Sequence, residues 1–140
     1  MTDTLPPLKI LLADDQPINV ALVEKLLTRR GHSVITAENG AQAVEAFKKN
    51  LFDAVLMDMQ MPVMDGLEAT RKIRQYEADQ EAQRGSRSHV AIIAMTANDD
   101  DTDRQACKDA GMDGFITKPI EIKTVVATIR EIIDNTKNSP

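Results

Sequence analysis

Ala54-Val55-Leu56-Met57-Asp58 is a run of four apolar residues closed by one carboxylate. A run so short and so continuous suits a parallel strand covered on both faces, because a strand with one wet face would alternate. Near-continuous runs recur at Leu8–Ala13, Val34–Ala37, Val90–Met95 and Phe115–Ile116. Longer segments of helical period separate them. Between Pro17 and Arg30, the residues Asn19, Leu22, Val23, Leu26 and Leu27 share one face, and Gly31 then stops the helix. Ala43, Val44, Phe47 and Leu51 repeat the pattern after Asn39-Gly40, and Ile122, Val125, Val126, Ile129, Ile132 and Ile133 form the clearest stripe. The polar stretch Glu77–His89 reads as a helix end followed by a surface loop. Five strands, each followed by a helix, predict an α/β fold: a doubly wound five-stranded parallel sheet with helices on both faces. Residues 8–134 are expected to form the domain, with tails at 1–7 and 135–140.

A chain of 140 residues with 42% hydrophobic and 28% charged residues suits one globular domain. Its net charge of −5 argues against direct nucleic-acid binding, which needs a basic patch to neutralise phosphates. Cys107 is the single cysteine, so no internal disulfide framework or cysteine metal cluster is expected. The longest stretch without Asp, Glu, Lys or Arg runs from Ser88 to Asn98, too short to span a bilayer. Asp3 and Pro6-Pro7 do not make a secretory signal, and the expected setting is cytoplasmic.

In an open parallel sheet, ligands sit outside the carboxyl ends of the strands, near the point where strand order reverses. The residues at those ends are Asp14-Asp15, Asp58, Thr96 and Lys118-Pro119. Taken singly, each has an ordinary reading: an acidic pair facing a helix dipole, a turn aspartate, a strand threonine, a surface lysine. Their coincidence at four strand ends points instead to one crevice. Two carboxylates ~4 Å apart repel by about 4 kcal/mol at an effective dielectric near 20. Three would be protonated or neutralised, and a divalent cation neutralises them; oxygen ligands favour magnesium over zinc. His32 and His89 precede strands at the opposite end and read as surface residues.

The sequences Leu11-Leu12-Ala13-Asp14-Asp15, Met57-Asp58-Met59-Gln60-Met61-Pro62-Val63-Met64-Asp65-Gly66, Met95-Thr96-Ala97 and Phe115-Ile116-Thr117-Lys118-Pro119-Ile120 together resemble a response-regulator receiver domain of two-component systems. The resemblance covers Leu8 to Asp134 and is nearest to receivers attached to hybrid sensor histidine kinases. It implies the flavodoxin-like strand order 2-1-3-4-5. It also implies that Asp58 takes a phosphoryl group from a phosphohistidine of a sensor kinase or a histidine phosphotransfer domain. Asp15, Asp58 and the backbone carbonyl of Gln60 would ligate magnesium, with Asp14 acting through water. Lys118 and Thr96 would hold the phosphoryl oxygens, Phe115 would be the aromatic whose rotamer reports activation, and Lys118-Pro119 would be a cis peptide. Gln60 and Asn98 occupy positions that influence phosphoryl lifetime in the family, and the helix 4–strand 5–helix 5 face is its usual surface for dimerisation or output.

Two features lie beside that set. Met57, Met59, Met61 and Met64 read as core and loop filling. On helix 1, Ile18 and Ala21 fall on the polar side with Glu24, Lys25, Thr28 and Arg29, so they are expected as exposed apolar groups that dock the donor. Competing readings fit less well. An aspartyl-nucleophile phosphatase resembling haloacid dehalogenases would carry a second Asp two residues after the first, where Gln60 stands. An FMN module would open on a Ser/Thr/Gly-rich loop rather than on Asp14-Asp15. The absence of a nucleotide loop excludes self-phosphorylation from ATP. A switch rather than a turnover enzyme is therefore expected, with a free-standing regulator as the alternative context.

Overall fold

The computed structural model describes residues 7–84, 90–97, 100–118 and 120–137. Among the described residues five strands and five helices alternate: β1 (Lys9–Ala13), α1 (Pro17–Arg29), β2 (Ser33–Ala37), α2 (Gly40–Lys49), β3 (Ala54–Asp58), α3 (Gly66–Arg84), β4 (Ala91–Thr96), α4 (Asp101–Ala110), β5 (Gly114–Thr117) and α5 (Ile122–Lys137). All strand pairs are parallel, and the order is β2-β1-β3-β4-β5.

The continuity of the apolar runs follows from two separate cores, one on each side of the sheet. Ile10 and Leu12 of β1, Leu56 of β3 and Ile93 of β4 face Val23 and Leu27 of α1 and Val125 and Ile129 of α5. Leu11, Val55 and Ile92, the alternate residues, face Val44 and Phe47 of α2 and Ile73 of α3. Each buried Leu or Ile side chain contributes about 1.5–3 kcal/mol of transfer free energy relative to exposure. The methionines behave as expected: Met57 is buried, and Met59, Met61 and Met64 pack against the second core.

Three local expectations are corrected. Leu22 is 51% exposed, because the arc of α1 that meets the sheet centres on Val23 and Leu27 and leaves Leu22 over 100° away. Leu51 is exposed because α2 ends at Lys49, which takes residue 51 out of the helical period. Glu77 falls in the last turns of α3, which runs on to Arg84 as the expected helix end, and residues 85–89, the expected loop, lie outside the described residues. Glu77 itself is buried, accepting hydrogen bonds from Arg74 (2.7 Å) and from the backbone N–H of Val90 at the start of β4 (2.7 Å). Arg74 also donates to the Gly111 carbonyl (2.9 Å) and to Asp113 (2.7 Å), so one guanidinium ties α3 to the α4–β5 turn. α5 runs from Ile122 to Lys137. The side chain of Ile133, the residue His89 and the tails at 1–6 and 138–140 lie outside the described residues.

His32, expected at the surface, is the third. It is buried, and its Nδ1 accepts a hydrogen bond from the Leu8 backbone N–H (3.0 Å). That bond requires an unprotonated ring nitrogen. Burial first and Arg30 second hold its pKa below the ordinary 6.5. The unfolded chain therefore binds a proton that the folded chain resists, and stability falls as pH drops below about 6.5 until the folded ring also protonates. A thermal-melt series from pH 8 to 5 should show this decline, and His32→Gln, which retains an acceptor, should flatten it.

Candidate functional site

Strand order reverses between β1 and β3, and the crevice at their carboxyl ends holds the predicted set. Asp14 and Asp15 follow β1, Asp58 ends β3, Thr96 ends β4 and Lys118 follows β5. Asp14, Asp58 and Thr96 are buried, whereas Asp15 is exposed. Carboxylate oxygens of Asp14, Asp15 and Asp58 all lie within 4.8 Å of one another. The Lys118 Nζ lies 3.3 Å from Asp58 Oδ2 and 3.8 Å from Asp14 Oδ2. The five side chains sit at one end of the sheet because parallel strands put all their carboxyl termini there.

The loop after β3 is held close to the acceptor. Gln60 N–H reaches Asp58 Oδ1 at 3.3 Å, and Gly66 N–H donates to the Met59 carbonyl at 3.1 Å. A Cβ at position 66 would collide with the Asp58 backbone carbonyl, so glycine is what lets α3 start against the acceptor residue. Between them Val63 holds a φ of 69° and is 83% exposed, a strained conformation for a β-branched residue.

Burial pushes the Asp58 carboxyl above its ordinary 3.8, and Asp14 adds to the rise. Lys118 and the Gln60 N–H pull the other way without cancelling it. Three carboxylates against one ammonium leave negative charge uncompensated. Oxygen donors at this spacing fit a hard divalent cation and lack the nitrogen or sulfur ligands that zinc prefers. The site opens into a cleft of about 720 Å³ lined by Asp15, Asp58, Gln60, Thr96 and Lys118 among others. It is wide enough for a group brought in from solvent.

Ile18 and Ala21 are exposed as expected, at the N-terminal end of α1 beside this cleft. Leu22 joins them, and the spacing of 18, 21, 22 and 25 was the overlooked sign, since i, i+3, i+4 and i+7 share a helix face. Phe115 is half-buried, with the Arg104 guanidinium 4.8 Å from its ring centroid. Cys107 on α4 touches Met59, Sγ to Sδ at 3.1 Å. Neither contact was anticipated; both residues of α4 stand on one helix face, three apart. Asn98 and Pro119 lie outside the described residues, so the second lifetime position and the cis peptide are not placed.

A family model described as "Response regulator receiver domain" matches residues 10–130. The chain is 43% identical over 121 residues to the hybrid signal transduction histidine kinase B of Dictyostelium discoideum, covering 84% of this chain and 6% of that protein. It is 38% identical over 132 residues to the sensor protein GacS of Pseudomonas syringae pv. syringae, covering 91% and 14% respectively. The chain thus spans a small part of these relatives. The receiver domain of Saccharomyces cerevisiae Ssk1, solved with the histidine phosphotransfer protein Ypd1, superposes with a TM-score of 0.83 at 30% identity, over 90% of this chain and 88% of that one. The receiver domain of sensor histidine kinase PA1611 from Pseudomonas aeruginosa gives 0.78 at 35% identity, over 92% and 99%, and has a magnesium ion in its active-site cleft.

Proposed function

This chain belongs to the response regulator receiver domain family, a phosphorelay receiver, and we propose that Asp58 is its phosphoacceptor, charged by a protein phosphohistidine in a magnesium-dependent transfer. One observation carries the reading: four strand ends deliver Asp15, Asp58, Thr96 and Lys118 to a single cleft, with the ammonium 3.3 Å from the acceptor carboxylate and 3.8 Å from that of buried Asp14.

In the transfer, a carboxylate oxygen of Asp58 attacks phosphorus and the P–N bond breaks with its electron pair going to the donor nitrogen, so that a phosphoimidazole protonated on its other ring nitrogen leaves as neutral imidazole. Asp58 must be ionised to attack, and Lys118 favours that form. Lys118 then meets the new charge on the phosphoryl oxygens, and the Thr96 hydroxyl donates to one of them. Asp14, Asp15, Asp58 and the Gln60 carbonyl would hold magnesium, which when bound neutralises charge on the transferring group. The product carries about −1.5 to −2 charge, enough to draw Thr96 and its loop inward and to change the setting of Phe115. The chain acts as a switch, and Gln60 and Asn98 set how long it stays on. The aspartyl phosphatase reading is disfavoured by Gln60, and the hybrid-kinase relatives favour a receiver within such a kinase over a free-standing regulator. Residues 8–134 are its functional unit, in a cytoplasmic setting; among the described residues no helix is long and apolar enough to cross a membrane. The α4–β5–α5 face is its output or dimer surface.

Incubating the chain with phosphoramidate and magnesium, then measuring intact mass, tests the reading. One phosphoryl adduct should form, and a chelator should slow its appearance at least about a hundredfold, the worth of a lost charge clamp. Equal rates with and without chelator would remove magnesium from the account.

The donor is taken to dock on Ile18, Ala21 and Leu22. Its own side of the interface would then be apolar, and the Ssk1 receiver domain solved with the phosphotransfer protein Ypd1 is the kind of pair this docking would form. Ile18→Asp should slow transfer from a phosphorylated phosphotransfer protein about tenfold or more while leaving the phosphoramidate rate unchanged. Unchanged transfer from the protein donor would send the docking surface elsewhere.

A further inference from the structure

Asp103 is an acidic residue that the transfer chemistry does not use, yet it lines the acceptor cleft. Its position follows from helix geometry. Asp103 and Cys107 are four apart on α4 and share a face. Cys107 Sγ sits 3.1 Å from Met59 Sδ, the residue directly after Asp58. One turn toward the N-terminus, the same face therefore stands above the acceptor loop. The Cys107 thiol is pushed up by burial and further by Asp103, consistent with a carboxylate turned toward this side. Among the described residues, the cleft lining holds Asp15, Asp58, Asp65 and Asp103 against one cation, Lys118.

We propose that Asp103 is a standing negative charge opposite the phosphoryl group, and that it sets how weakly, and so how briefly, this group is held. The inference rests on Asp58 being the phosphoacceptor. A phosphoryl group brings about −1.5 to −2 charge into a cleft already in negative excess. Asp14, Asp15 and Asp58 would be compensated by bound magnesium and by Lys118, whereas Asp103 belongs to α4 and lines the cleft from there. Its repulsion acts on the phosphorylated state and not on the empty one, so it favours release.

Trifluoroberyllate, an anionic phosphoryl mimic, measures this directly when titrated with magnesium present. Asp103→Asn keeps the shape and should bind the mimic about three- to tenfold more tightly at roughly 0.01 M ionic strength, with the gap closing to under about twofold at 1 M. Asp101→Asn is the control: it removes a carboxylate from the same first turn of α4, but one that does not line the cleft. It should leave the affinity unchanged. The aspartyl phosphate of Asp103→Asn should also outlive that of wild type. Equal affinity in wild type and Asp103→Asn, a gap that ignores salt, or an equal gain in Asp101→Asn would overturn the proposal while leaving Asp58 as acceptor. Failure of wild type to bind the mimic would instead remove Asp58 and this inference with it.

Discussion

Asp58→Asn should carry no phosphoryl group under conditions that saturate wild type, a loss of at least about a thousandfold, and should still be the more stable protein when divalent cations are absent. The first half follows because an amide lacks the anionic oxygen that attacks phosphorus. The second half follows from the site's electrostatics. Burial and Asp14 raise the Asp58 carboxyl above its ordinary 3.8. The folded chain then holds that proton more tightly than the unfolded chain does. Asp58 accordingly favours folding below about 3.8, and that contribution is lost as pH rises through its elevated folded value. At neutral pH its charge is a net cost. Replacing it removes one of three crowded carboxylates, a gain on the order of 1 kcal/mol. Denaturant unfolding at pH 7 with a chelator should show the variant above wild type. Added magnesium should narrow or reverse the order, because only wild type retains the full ligand set. A variant less stable than wild type without metal would mean that the carboxylate cluster is not the strained arrangement inferred.

Lys118→Met should slow phosphorylation by about 10²–10³-fold, the usual cost of removing one well-placed group that meets transition-state charge. Lys118 is the strongest influence holding the Asp58 carboxyl down. Without it the carboxyl moves further up, so the acid edge of the phosphorylation rate should shift to higher pH as well. A merely structural lysine would lower the rate, if at all, without moving that edge. Rates measured between pH 4 and 8 with saturating magnesium separate the two. A variant within about tenfold of wild type at every pH would remove Lys118 from the transfer.

Much of this was legible in the chain because parallel strands give two strong signals at once. Burial on both faces writes each strand as a continuous apolar run, and the residue that ends the run then falls at the ligand-binding edge of the sheet. Asp58 and Thr96 could be placed by counting to the end of a run. Side chains whose position depends on tertiary partners were not legible in this way. Leu22 has the same periodicity as Leu26, and only the width of the contact with the sheet and α5 decides which of them is covered. Glu77 looks like loop polarity until Arg74 and the Val90 N–H are seen to satisfy it in a buried setting. His32 reads as a surface residue because nothing local shows that the Leu8 N–H will need an acceptor. Asp103 is hidden in an acidic run, where helix capping by Asp100 is the evident role and the fall of one carboxylate over the acceptor loop depends on how α4 packs.

Chemical trapping of the phosphoryl group at its site tests the central claim most directly. Borohydride reduces an aspartyl phosphate to homoserine, so the wild-type chain can be charged by a phosphodonor with magnesium, reduced and sequenced by tandem mass spectrometry. Homoserine should appear at position 58, at no other aspartate, and only when donor is present. Homoserine at Asp14 or Asp15, or a stable adduct that borohydride leaves on a histidine or serine, would contradict Asp58 as the acceptor.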